Sequence, residues 1–306
     1  MSKNSIIKKF CDLFFLLPRD DCHLFSGLRK IIPLPMIMCL KSIRKRYLDI
    51  SAPIRINKSV TGFLGPEFPP LHKNIEIDIT YQCNLNCPHC NRFLDFAPSQ
   101  TRMSVEQIEK FIRESIELGR KWRGILLSGG EPTYHPQILE IAKLVLDYKK
   151  GFSPYTKIWL LTSGFDTHMN TILSLIPPDI GIINSRKGNF FEKHYPVTIA
   201  PIDLNEYRNA DFSNGCVITS TCAMGLNLHG YYQCTVAAAI DRLLGFDAGR
   251  KKLPSTNDNM IDLYRIFCQY CGHFLRRERK TKETISPIWE KAIDNYAKLK
   301  PCLTLY

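Results

Sequence analysis

The sequence contains no apolar run near the roughly 20 residues that a helix needs to cross a bilayer, so no membrane span is expected. It contains no internal repeat and no low-complexity tract, which excludes a solenoid and a compositionally disordered chain. Nor is a secretory signal expected. The apolar stretch Phe14 to Leu17 is too short for one, no small-residue cleavage site follows, and Pro18, Arg19, Asp20 and Asp21 come next. Without export the chain is expected to be cytoplasmic, where thiols stay reduced. Its 12 cysteines in 306 residues are too dilute for a disulfide scaffold. Clustered cysteines in a reduced compartment point to metal instead.

Acidic residues are scarce at one end only. Residues 1–60 hold 4 Asp and Glu against 12 Lys and Arg, whereas the remaining 246 hold 25 against 29. The nearly balanced body argues against nucleic acid as a partner. In the basic segment Ile6, Ile7, Phe10, Phe14 and Leu17 recur at helical spacing beside Lys8 and Lys9. A second apolar stretch, residues 31–40, contains Pro33 and Pro35 and cannot be one regular helix. Two readings stand. The segment makes peripheral contact with the anionic inner face of a membrane, or it docks on the body and keeps its basic side in water. Residues 62–70, with Gly62, Gly65, Pro66, Pro69 and Pro70, read as a linker.

From Ile75 onward the pattern becomes periodic. Strands are expected over residues 75–80, 124–128, 157–162, 180–184 and 196–202. Helices are expected over 104–118, 136–148, 167–175 and 287–299. Ser104 with Gln107 three residues later reads as a capping box that starts the first of these helices. Strands alternating with helices imply βαβ units and a parallel sheet or barrel. After about Phe212 the texture changes to turns and cysteines. The expected organisation is a basic extension and linker (1–70), an α/β domain (71–212) and a small cysteine-rich domain (213–306).

Three cysteines, Cys83, Cys87 and Cys90, follow directly on the first strand. In a parallel barrel the C-terminal ends of strands carry the active site. Thiolates select soft metals, zinc and iron–sulfur clusters above all. A structural zinc site closes with four protein ligands. Three thiolates on a cubane 4Fe–4S cluster leave one iron open, which is what a catalytic metal site needs. A zinc knuckle, with His89 or a distant cysteine as fourth ligand, is the alternative.

The Cys83, Cys87, Cys90 spacing, coupled to Gly129-Gly130-Glu131-Pro132 at the end of the second strand, resembles the radical SAM superfamily over residues 72–205. The resemblance implies a partial (β/α)6 TIM-like barrel. It implies that S-adenosyl-L-methionine (SAM) chelates the open iron and is reductively cleaved to a 5′-deoxyadenosyl radical, which takes a hydrogen atom from the substrate. It places Gly129, Gly130, Glu131 and Pro132 at the methionine amino group, where glycines allow close backbone approach and Glu131 offers a charge-assisted acceptor. By the same resemblance Ser163 contacts the ribose or carboxylate, with Asn184 and Ser185 as further SAM contacts. His89 stands where the family commonly has an aromatic residue near the adenine. The electron is expected from a donor such as flavodoxin or ferredoxin.

Cys222, Cys234, Cys268 and Cys271 make a second set, and four thiolates close a metal site. Within the family this resembles the auxiliary-cluster domain called SPASM, or Twitch when shortened, and implies one auxiliary 4Fe–4S cluster. The Gly230 to Cys234 spacing is one residue shorter than usual there. Cys216 reads as a buried apolar residue or as a replacement for one of the four. Cys11, Cys22, Cys39 and Cys302 have no metal-like spacing. A zinc ribbon is the alternative for this set. The reading as a whole is a radical SAM enzyme that oxidises, epimerises or cross-links a carbohydrate, a lipid-linked molecule or a peptide. The other class considered is a non-catalytic zinc-binding interaction protein.

Overall fold

The computed structural model describes residues 53–69, 72–87, 90–164, 166–185, 197–216, 218–219, 223–275 and 285–306. The chain divides into two compact units, Met1–Arg55 and Ile56–Tyr306. The amphipathic segment expected near the N-terminus lies outside the described residues. All elements below belong to the second unit. No helix among the described residues is long and apolar enough to cross a membrane.

The stretch expected to be a linker begins as a helix, α1 (Lys58–Leu64). Asn57 caps it by accepting from the Ser59 amide at 3.0 Å, and Gly65 ends it at φ 76°, a left-handed conformation that glycine takes without strain. Strand β1 (Asn74–Thr80) follows. Its side chains alternate between two faces. Ile75, Ile77 and Ile79 are fully buried in the main core, each worth roughly 2 kcal/mol by area. The other face carries Glu76, Asp78 and Thr80, also buried.

Helix α2 (Val105–Glu117) starts at the expected capping box. The Ser104 hydroxyl accepts from the Gln107 amide at 3.3 Å, and the Gln107 side chain accepts from the Ser104 amide at 3.0 Å. Then come β2 (Gly124–Gly129), α3 (Ile138–Gly151), β3 (Lys157–Thr162), α4 (Thr167–Leu175) and β4 (Gly181–Asn184). The βαβ pattern read from the sequence is therefore present through β4.

The expected fifth strand is absent. Residues 197–200 form a turn and coil, and Pro201–Asp203 is a 3-10 turn. Pro201 has no amide hydrogen for a ladder. The neighbouring carbonyls are taken elsewhere: Val197 accepts from the Gly272 amide at 2.8 Å and Thr198 from the Ser286 amide at 3.0 Å.

The remaining elements are β5 (Met224–Asn227), β6 (Gly230–Tyr232), α5 (Thr235–Leu244), α6 (Ile261–Phe267) and α7 (Pro287–Leu299). One six-stranded sheet results, in the order β4-β3-β2-β1-β5-β6. All its pairings are parallel except β5 with β6. This parallel-dominated α/β architecture is that of a partial TIM-like barrel. Because β5 pairs with β1, the cysteine-rich part of the chain shares the sheet that carries Cys83.

Candidate metal and cofactor site

The C-terminal ends of β1 and β2 approach each other closely. The Gly130 amide donates to the Thr80 carbonyl at 2.7 Å, and the Glu131 amide to the Gln82 carbonyl at 2.8 Å. A Cβ at Gly129 or Gly130 would run into the carbonyl oxygens of Thr80 and Gln82, and Gly129 sits at φ 131°. The paired glycines are thus required by the fold itself. They bind the start of the cysteine loop to the end of β2.

Within that loop the Cys90 amide donates to the Cys87 carbonyl at 3.1 Å, and the Cys83 sulfur accepts from the Leu85 amide at 3.4 Å. The three cysteines are half-buried. Burial pushes the Cys83 thiol up to about 11, with Cys90, Glu131 and Cys87 adding negative charge in the same direction. Three thiols whose ionised forms repel one another in a partly dry site fit a cationic metal centre, which stabilises thiolates. Pro88 and His89 lie outside the described residues.

Glu131 is 1 % exposed. Its Oε1 accepts from the Thr133 hydroxyl at 2.8 Å, the Thr162 hydroxyl at 2.8 Å and the Thr133 amide at 3.3 Å. Its Oε2 accepts from the Ser163 amide at 2.9 Å and hydroxyl at 3.0 Å. The carboxylate therefore ties the end of β2 to the end of β3. Ser163 is turned toward Glu131 and the Met169 sulfur, which its hydroxyl reaches at 3.4 Å. The Asn184 side chain occupies the space where a Cβ of Gly164 would sit, and Ser185 donates to the Thr162 carbonyl from its amide and hydroxyl. Ser163, Asn184 and Ser185 thus lie at neighbouring strand ends.

Two positioning groups escaped sequence reasoning. Asp166 caps α4 by accepting from the Met169 amide at 2.8 Å. Its other oxygen accepts from Asn84, inside the cysteine loop, at 2.8 Å and from the Tyr134 hydroxyl at 2.7 Å. The Met169 amide first, and then the Tyr134 hydroxyl, hold the Asp166 carboxyl below its usual range. Arg92, two residues past Cys90, reaches back into the barrel. It pairs with Glu76 and with Asp78 at 3.0 Å, and the Ser128 hydroxyl donates to both carboxylates at 2.8 and 2.9 Å. Burial raises the Asp78 carboxyl above its usual range, and Arg92 opposes the shift. The available signal was two acids at alternate positions of a strand whose other face is all isoleucine. Such acids, once buried, demand a cation.

Of the second set, Cys234, Cys268 and Cys271 line one small cavity, and among the described residues Cys216 lines it too. Cys222 lies outside the described residues. Val236, Ile240, Phe267 and Phe274 supply apolar walls. Burial pushes the Cys268 and Cys271 thiols well above their usual range. Cys216 and Cys234 add to both shifts, which places the four within electrostatic reach of one another. A buried cysteine that fills a core and one that ligates metal look the same in sequence, so the role of Cys216 was open there. Among the described residues no three His, Cys, Asp or Glu side chains are gathered closely enough to hold one metal ion. The fit of both sets to a metal centre therefore rests on donor chemistry and mutual charge.

Comparison with known proteins bears on the first set. Residues 77–179 match the family model described as "Radical SAM superfamily". A "Probable GTP 3',8-cyclase" of Pyrococcus abyssi is 39% identical over 75 residues, covering 24% of this chain and 24% of that protein. The "GTP 3',8-cyclase" of Aliarcobacter butzleri is 30% identical over 93 residues, covering 30% of this chain and 27% of that protein. The chain thus spans about a quarter of the length of these relatives. Among solved structures, "BtrN in complex with AdoMet and 2-DOIA" is similar at a TM-score of 0.39 and 12% identity, over 71% of this chain and 99% of that one. The family match implies a 4Fe–4S cluster and SAM, and it falls on the strands and loop that position Cys83, Cys87 and Cys90. Residues 77–179 of the chain are thus similar to the radical SAM superfamily.

Proposed function

We propose that this chain abstracts a hydrogen atom from its substrate by radical SAM chemistry and then oxidises, epimerises or cross-links it. Cys83, Cys87 and Cys90 would hold the SAM-binding 4Fe–4S cluster. Cys216, Cys234, Cys268 and Cys271 would hold an auxiliary 4Fe–4S cluster in a SPASM- or Twitch-like setting. Substrate classes are a carbohydrate, a lipid-linked molecule or a peptide, and the electron donor is a flavodoxin or ferredoxin. For the basic N-terminal segment two readings stand, docking on the body with its basic side in water and peripheral contact with an anionic membrane face. The observation that carries the reading is the closure of Gly129–Glu131 on Thr80 and Gln82. It places a three-thiol loop at the mouth of a parallel sheet.

When bound, the cluster and SAM supply one-electron cleavage of SAM and a radical able to take hydrogen from carbon. The chain's own residues orient and enclose. Gly129 and Gly130 let the backbone approach, Asp166 fixes Asn84 within the loop, and Arg92 anchors the loop's end in the barrel. At the second set, four thiolates saturate the metal, which suits electron transfer better than substrate binding. The same four would suit zinc.

Anaerobic purification tests this. Brown protein with about eight irons per chain, as two cubanes require, and reductant-dependent 5′-deoxyadenosine from SAM are expected. Colourless, zinc-bearing protein that makes no 5′-deoxyadenosine would refute the enzymatic reading. Cys87→Ala is expected to abolish SAM cleavage, whereas Cys234→Ala keeps some.

A further inference from the structure

Beyond Cys90 the chain folds into a tight loop, residues 91–97, before it reaches α2. The Phe93 amide donates to the Cys90 carbonyl at 2.8 Å, and the Ala97 amide to the Phe93 carbonyl at 2.7 Å. Phe93 has φ 53°, left-handed for a bulky residue, and its ring is fully buried. Two side chains grip this loop from the opposite end of the sequence.

The first is Trp289 of α7. Its ring stacks on Phe93 with centroids 4.7 Å apart and planes at 28°. Its indole N–H donates to the Tyr270 carbonyl at 2.7 Å, and Tyr270 lies between Cys268 and Cys271. The second is Arg242 of α5, which donates to the carbonyls of Arg92, at 2.6 Å, and Ala97. Its guanidinium covers the Tyr81 ring at 4.3 Å, and Tyr81 is two residues before Cys83. Cys234 is the N-cap of the same helix. Arg242 is 5 % exposed, and its Nε finds no hydrogen-bond partner among the described residues. A buried guanidinium directed at backbone carbonyls is expensive, so what it holds in place matters. Each grip is thus rooted in the second cysteine set and closes on the loop that ends the first.

We propose that residues 91–97 couple the two cysteine sets, with Arg242 and Trp289 as positioning residues for the triplet. Filling the second set fixes the start of α5 and the Tyr270 turn. Those in turn fix Arg242 and Trp289, and so the loop that presents Cys90. Metal at one set then tightens metal at the other, by linkage in both directions. The inference rests on the reading that both sets hold clusters.

Iron loss to a ferrous chelator tests it without any substrate. The loss is followed by absorbance and assigned to each set by electron paramagnetic resonance after reduction. Four proteins are compared: the parent, Cys268→Ser with Cys271→Ser to empty the second set, Arg242→Gln with Trp289→Phe to cut both grips, and all four substitutions together. Trp289→Phe keeps the stack and loses only the N–H donor. Emptying the second set is expected to speed iron loss from the triplet about fivefold or more when the grips are intact, and to have no effect once they are cut. Should the double grip variant fail to fold, Arg242→Lys carries the same comparison. An equal acceleration with and without the grips overturns the proposal, as does no acceleration in the parent. Protein that takes up no iron at either set refutes the functional reading, and the coupling falls with it. That result is distinct from iron-loaded sets that ignore each other.

Discussion

Glu131 was legible in the sequence as part of a glycine-flanked motif, but its fold task was not. Five donors converge on its two oxygens from Thr133, Thr162 and Ser163. Glu131→Ala would orphan those buried donors at about 1–3 kcal/mol for each left unsatisfied. A loss on the order of 3 kcal/mol in the metal-free protein is expected by urea denaturation. A residue that served only as a SAM ligand would leave that stability unchanged. His229 belongs to the same scale. Burial lowers its pKa from 6.5 to about 4. Below pH 6.5 the unfolded chain takes a proton that the folded one refuses. Its stabilising contribution is therefore full above 6.5 and lost as pH falls toward 4. At about 1.4 kcal/mol per unit the loss is on the order of 3 kcal/mol. His229→Gln should flatten stability between pH 7 and pH 4.5 in urea titrations, and an unchanged slope would contradict this assignment.

At the scale of elements, legibility followed periodicity. The capping box of α2 and the strands β1 to β4 formed where pattern placed them, because alternation and caps are local signals. The stretch 196–202 misled because apolar residues alone do not make a strand. Its carbonyls found Gly272 and Ser286, distant partners that no local signal encodes. Strand β1 shows the limit from the other side. Its Ile face was legible, but the cation for Glu76 and Asp78 comes from Arg92 in a loop. Arg92→Ala would leave two buried acids without a cation, which typically costs about 3–5 kcal/mol. A stability loss of that size in the metal-free protein is expected. Arg92→Lys should recover part of it, since an ammonium cannot span both carboxylates as the guanidinium does.

For the molecule as a whole, the question is how one sheet serves two cysteine sets. The triplet lies within eight residues of sequence, so spacing alone revealed it. The second set is gathered by tertiary folding. Pairing of β5 with β1 brings Met224–Asn227 against the barrel, and α6 delivers Cys268 and Cys271 to the start of α5. Spacing could count those thiols but not choose among them: it pointed to Cys222, which lies outside the described residues, while Cys216 lines the cavity with the other three. Substitution decides between the two. Cys216→Ser removes one of four buried thiols that line the cavity, and a cubane with three thiolates is far easier to strip. Its auxiliary signal should vanish from the resonance spectrum of reduced protein while the triplet's signal persists. Cys222→Ser should keep both signals. The reverse outcome, a lost auxiliary signal in Cys222→Ser with Cys216→Ser intact, would return Cys216 to the core as an apolar filler. It would mean that the charge coupling among Cys216, Cys268 and Cys271 reflects packing alone.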